Sequence, residues 1–146
     1  MKSKWLHRLL PAAAVLSALS VYAPPSWAAG AFEAFGGKPG LDRVADLGVE
    51  RVLKDPRIKD QFANSNIPRL KALLSEQFCA LLEGPCQYTG KDMRSAHAGM
   101  GLKDRDFNAL AEDFQLAMDD LGIPFRVQNV LLAKLAPMDR DIAQGK

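Results

Sequence analysis

From residue 31 onward, apolar side chains recur every three or four positions, in segments separated by short stretches holding Gly or Pro. Leu41, Val44, Gly48 and Val52 share one helical face, which predicts a helix over 41–54, opened by Pro39-Gly40 and ended by Asp55-Pro56. A short helix through Phe62 follows. Pro68, preset for a first helical turn and preceded by the cap-capable Ser65 and Asn66, opens the next, with Ile67, Leu70, Leu74, Phe78 and Leu81 as its stripe. Gly84-Pro85 stops it. A long amphipathic helix then carries Phe107, Leu110, Phe114, Met118 and Leu121 up to Gly122, and Pro124 opens the last, where Val127, Leu131, Leu135 and Ile142 face inward and Pro137 adds a kink. Nothing alternates with the period of a strand, so the fold class is all-α.

The first 28 residues read differently. Lys2, Lys4 and Arg8 precede an apolar stretch over 9–23, and Ser26-Trp27-Ala28 ends it in a small-x-small pattern. The stretch is shorter than the ~18 residues a membrane span needs, and Pro11, Pro24 and Pro25 interrupt it. Residues 1–28 are therefore expected to be a cleaved export signal rather than an anchor, and residues 29–146 a single domain that is periplasmic or secreted. Of the 19 Lys and Arg in the chain, Lys2, Lys4 and Arg8 fall in that signal, whereas all 17 Asp and Glu lie beyond it. The remainder is slightly acidic, with no basic stripe for nucleic acid and no patch for an anionic membrane.

Two cysteines, Cys79 and Cys86, lie in the domain, and in an oxidising compartment their simplest state is a disulfide. Thiolate metal ligation lacks partners, and no Cys-x-x-Cys-His motif exists for covalent haem attachment. His97 is the one histidine of residues 29–146, in a short Gly-bounded segment between the two pairs of longer helices. One imidazole cannot build a multi-histidine zinc site, but it suffices to hold a haem iron from one side.

Several landmarks occur in order: Phe35-Gly36-Gly37, Asp55-Pro56-Arg57-Ile58, Phe62, Asn64-Ser65-Asn66-Ile67-Pro68-Arg69-Leu70-Lys71, Gly84-Pro85, Tyr88-Thr89-Gly90, and Met93-Arg94-Ser95-Ala96-His97 with Gly99. In that order and spacing the chain, from about Phe32 to Ile142, resembles the group 1 truncated haemoglobins, the two-over-two globins. The resemblance implies a helical sandwich, B/E over G/H, around one b-type haem with His97 as proximal iron ligand. Phe62 and Met93 are then expected to touch the porphyrin, and Arg69 and Tyr88 to reach its propionates.

The distal side departs from the family pattern. Where its members carry phenylalanine then tyrosine near the end of helix B, this chain has Gly48 and Val49, and its E-helix positions facing the ligand are Leu70 and Leu74 rather than glutamine. With Phe78 these make an apolar distal pocket, from which Ser75 and Gln77 are expected to turn away and Lys71 to reach solvent. Loss of a hydrogen bond worth roughly 1.5–3 kcal/mol to dioxygen lowers oxygen affinity about 10- to 150-fold, and CO and NO depend on it less. Reversible binding of diatomic gases at a five-coordinate iron is the leading functional expectation. Nitric oxide dioxygenation with an external reductase, peroxidase-like turnover, electron transfer through a second protein ligand, and a haem-free interaction module are the alternatives. The first two require a stable oxy complex or a distal acid–base group that the pocket lacks.

Overall fold

The computed structural model describes residues 30–145; the expected signal segment, residues 1–28, lies outside them. Among the described residues every regular element is helical: α1 (Ala31–Ala34), α2 (Gly37–Val52), a 3-10 turn at Lys59–Phe62, α3 (Ile67–Leu81), α4 (Met93–Ala96), α5 (Asp104–Asp120), α6 (Phe125–Leu135), a second 3-10 turn at Ala136–Met138, and α7 (Asp139–Ile142). The α2/α3 pair packs against the α5/α6 pair, with α2 against both α3 and α5. No described helix is long and apolar enough to cross a membrane.

α2 starts four residues earlier than the apolar pattern predicts. Gly36, in the left-handed region at φ +86°, turns the chain into the helix, and Pro39 is accommodated in the first turn, where its missing N–H removes no helical bond. Asn66 caps α3, its side chain accepting from the Arg69 amide at 3.0 Å, with Pro68 in the first turn. Gly122 (φ +68°) lets the chain leave α5, and Pro137 converts the continuation of α6 into the 3-10 turn before α7.

The core joins Leu41, Val44, Val49 and Val52 of α2 to Phe78 and Cys79 of α3, Phe114 and Met118 of α5 and Leu131 of α6. The Phe78 and Phe114 rings meet edge to face, centroids 5.4 Å apart. Gly48 lies directly under Phe114: a Cβ there would come within 2.7 Å of three of its ring atoms. The ring volume that α2 lacks at Gly48 is thus supplied by α5. Cys79 and Cys86 are bonded, tying the end of α3 to the loop that leads into α4.

Buried polar groups tie the helices together. Ser75 donates to Asp42 Oδ1 at 2.6 Å across α3 and α2, and Gln128 donates to Asp119 Oδ1 at 2.7 Å and to the Ile123 carbonyl at 2.8 Å. At the end of α2, Asp55 accepts from the Arg57 backbone amide and from its Nε, both at 2.8 Å, and these bonds hold the Asp55 carboxyl below its usual range. Asp113 of α5 faces it. Burial pushes the Asp113 carboxyl up, the neighbouring Asp55 charge pushes it further, and its Oδ2 is buried with no hydrogen-bond partner.

Candidate functional site

A cavity of about 280 Å³ opens between α2, α3, α4 and α5, with walls that are overwhelmingly apolar. Val49 and Val52 come from α2, Leu70, Leu73, Leu74 and Phe78 from α3, and Phe107, Leu110 and Phe114 from α5. Each set is one helical stripe, so the periodicity that builds the core also builds the cavity. Phe62, placed by the 3-10 turn, closes one side, and Met138 and Ile142 of the C-terminal turns close another.

His97 lines this cavity from the C-terminal end of α4, a helix of one turn. Asp92 caps that turn by accepting from the Ser95 amide at 2.9 Å, and hydrogen bonding from the Ser95 side chain, together with that amide, lowers the Asp92 carboxyl. The His97 ring nitrogen Nδ1 lies 2.8 Å from the Met93 carbonyl oxygen. A carbonyl only accepts, so Nδ1 carries a proton, and in the neutral ring this leaves the lone pair on Nε2. That is the tautomer a metal-ligating imidazole needs, and the bond sets the plane of the ring. No cluster of three or more His, Cys, Asp or Glu among the described residues is arranged to hold a bare metal ion. An apolar cleft with one correctly polarised imidazole therefore fits a flat apolar cofactor carrying its own metal.

Of the residues singled out from the sequence, Val49, Phe62, Leu70, Leu74, Phe78, Tyr88, Met93 and His97 all line the cavity. Arg69 does not. It sits one residue off the Leu70–Leu74 face, is exposed, and its guanidinium donates to Thr89 Oγ1 at 3.1 Å. Glu76 accepts from the Thr89 hydroxyl at 2.7 Å and its amide at 3.0 Å, so Arg69 and Glu76 of α3 together hold the loop before α4. The Tyr88 phenol, raised by burial and by the nearby Glu76 and Asp92 charges, donates to the Lys91 carbonyl at 2.8 Å. Lys71 ion-pairs with Asp46 at 3.3 Å and Glu50 at 3.8 Å on α2 instead of extending freely into solvent.

Gln77 is a correction. The expectation that it turns away with Ser75 holds for Ser75 alone. Gln77 is buried, lines the cavity, and directs its amide at Met93 Sδ (3.3 Å) and Met138 Sδ (3.9 Å). It lies seven residues after Leu70 and three after Leu74, and that spacing keeps it on their face. Its amide therefore sits with Met93, on the His97 side, and leaves the Val49/Leu70/Leu74 wall apolar. Met100 and Met138 are further lining residues that no motif singles out; folding of the loop after His97 and of the C-terminal turns brings them in.

Comparison with known proteins bears on the family and the fold. The bacterial-like globin family matches residues 30–144. A group 1 truncated haemoglobin from Mycolicibacterium paratuberculosis is 32% identical over 115 residues, covering 79% of this chain and 85% of that one. One from Tetrahymena thermophila is 34% identical over 92 residues, 63% of this chain and 76% of the other. Among solved structures, the ferric truncated haemoglobin of Tetrahymena pyriformis superimposes with a TM-score of 0.75 at 29% identity, over 80% of this chain and 98% of that one.

Proposed function

The chain belongs to the bacterial-like globin family as a group 1 truncated haemoglobin with the two-over-two fold, a family that binds gases through haem, and from that premise we propose a specific function. It is an exported protein that takes one b-type haem into the α2–α5 cavity and binds dioxygen, nitric oxide and carbon monoxide reversibly at a five-coordinate iron. The observation that carries this reading is the His97 Nδ1–Met93 carbonyl bond at 2.8 Å in an apolar cleft. When bound, the haem supplies an iron with one position open to a diatomic ligand.

The protein's own part is anchoring and exclusion. His97 offers Nε2 to the iron. Phe62 and Met93 would give the ring apolar contact, and Tyr88 would border its polar edge. Val49, Leu70, Leu74 and Phe78 keep water from the gas site and offer no hydrogen-bond donor to a polarised ligand. Weak discrimination in favour of oxygen, with fast oxygen release, follows from that wall. The same wall places binding ahead of dioxygenation or peroxidase chemistry, which require a distal donor or acid–base group. Export through residues 1–28 to the periplasm or outside is consistent with a disulfide between Cys79 and Cys86.

The ferrous, haem-reconstituted protein tests this reading. A five-coordinate high-spin absorption spectrum that converts to a carbonyl form with one CO per chain is expected. A low-spin six-coordinate spectrum before any gas is added would mean that a second side chain closes the open position, and electron transfer would take precedence.

A further inference from the structure

Gln77 stands out because its chemistry does not suit its place. It lies on the face of α3 that carries Leu70 and Leu74, and a leucine there would be buried at no polar cost. Its side-chain N–H groups are aimed at two thioether sulfurs, which are weak acceptors and return little of the desolvation cost. The direction of those bonds matters more than their strength. Met93 is the first residue of the single turn α4, and its carbonyl oxygen accepts twice from His97: from the backbone N–H at 3.2 Å and from Nδ1 at 2.8 Å. One helical turn has almost no stability of its own, so the placement of that carbonyl depends on outside contacts. The Asp92 cap, the Arg94–Asp141 ion pair and the Gln144 bond to the Arg94 carbonyl hold the turn elsewhere, whereas Gln77 of α3 grips the Met93 side chain itself, and through Met138 it also joins α4 to the C-terminal 3-10 turn.

We infer that Gln77 is a positioning residue for His97: by donating to the Met93 sulfur it holds the Met93 carbonyl, which in turn fixes the tautomer, height and rotation of the imidazole. Partners one step removed from a metal-ligating histidine orient the ligand and tune how firmly the metal is held. The inference rests on His97 being the iron ligand, as proposed above. It assigns to α3 a control over the iron from the side opposite the gas.

The test uses the full haem-loaded protein and four variants: Gln77→Met, which keeps volume and removes the N–H; Met93→Leu, which removes the sulfur; the two combined; and His97→Ala. Two quantities are read: the iron–histidine stretching band of the ferrous form by resonance Raman, and the rate of haem loss to an excess haem acceptor. Gln77→Met and Met93→Leu are expected to move the band in the same direction and to speed haem loss about 3- to 10-fold each. The combined variant is expected to go no further, since both changes cut one chain of contacts. An unmoved band in Gln77→Met, or effects that multiply in the combined variant, overturns the inference. Should Gln77→Met fail to fold, Gln77→Leu carries the same expectation. A band that persists unchanged in His97→Ala removes the anchor itself. A band abolished by His97→Ala but untouched by Gln77→Met removes only the role of Gln77.

Discussion

Taking the haem away leaves a cavity of about 280 Å³ whose leucine, valine and phenylalanine walls have nothing to pack against. At roughly 24 cal/mol per Å³ of void that persists, this volume corresponds to about 7 kcal/mol. That figure is a ceiling, because the one-turn α4 and the loops around it can move inward and water enters at the rim. Half of it still consumes a large share of the ~5–15 kcal/mol that holds a domain of this size together. For a chain of this length each kcal/mol moves the melting temperature by about 4 °C, so at half the ceiling the apo protein is expected to melt about 14 °C below the haem-bound form. Calorimetry or circular dichroism on both forms, at equal protein concentration and with a slight excess of haem in one, measures the difference. Melting temperatures within about 3 °C of each other would refute the reasoning, since haem could then not be what fills the cavity.

Three further outcomes are expected. Gly48→Ala gains about 1 kcal/mol of helix propensity and meets the Phe114 ring, an overpacking worth ~1–3 kcal/mol; urea denaturation should show net destabilisation that disappears when Phe114→Leu is added, and a stabilised single variant would contradict the packing. Asp113 has a folded carboxyl pKa above its unfolded one, so its favourable contribution is complete below the ordinary carboxylate range and is lost as pH rises through the raised value. Asp113→Asn cannot ionise and should therefore gain stability relative to the parent as pH climbs from about 4 toward neutrality, and a gap that narrows instead would be evidence against the buried charge. Val49→Tyr places a phenolic donor in the apolar wall and should slow oxygen release about 10- to 150-fold by stopped flow, whereas an unchanged rate would show that position 49 does not face the gas.

The helix order and the residues lining the cavity were legible in the sequence because a single signal, apolar spacing of three and four, governs both. Leu70, Leu74 and Phe78 are core by period, and cavity by what their stripe faces. What was not legible depends on partners distant in the chain. The ring that fills the space above Gly48 belongs to Phe114, 66 positions later, and no pattern local to α2 announces it. Arg69 has the charge expected of a cofactor contact, yet Thr89 offers it a partner nearer at hand. Gln77 departs from expectation for a narrower reason. Helical spacing is expected to turn it away with Ser75, but seven residues beyond Leu70 is two full turns and therefore the same face. The start of α2 at Gly37 rather than at 41 reflects backbone freedom at Gly36, to which a hydrophobic pattern is blind.

The central claim, that His97 is the one protein group that anchors the haem iron, is tested most directly by replacing it with glycine and supplying the lost ring from solution. Haem titration of the parent, of His97→Gly, and of His97→Gly with millimolar imidazole compares the three by absorption. The expected result is a sharp Soret band saturating at one haem per chain in the parent, its loss or broadening in the variant, and its return with imidazole. A variant that binds haem with the parent's stoichiometry and spectrum, indifferent to imidazole, would contradict the account.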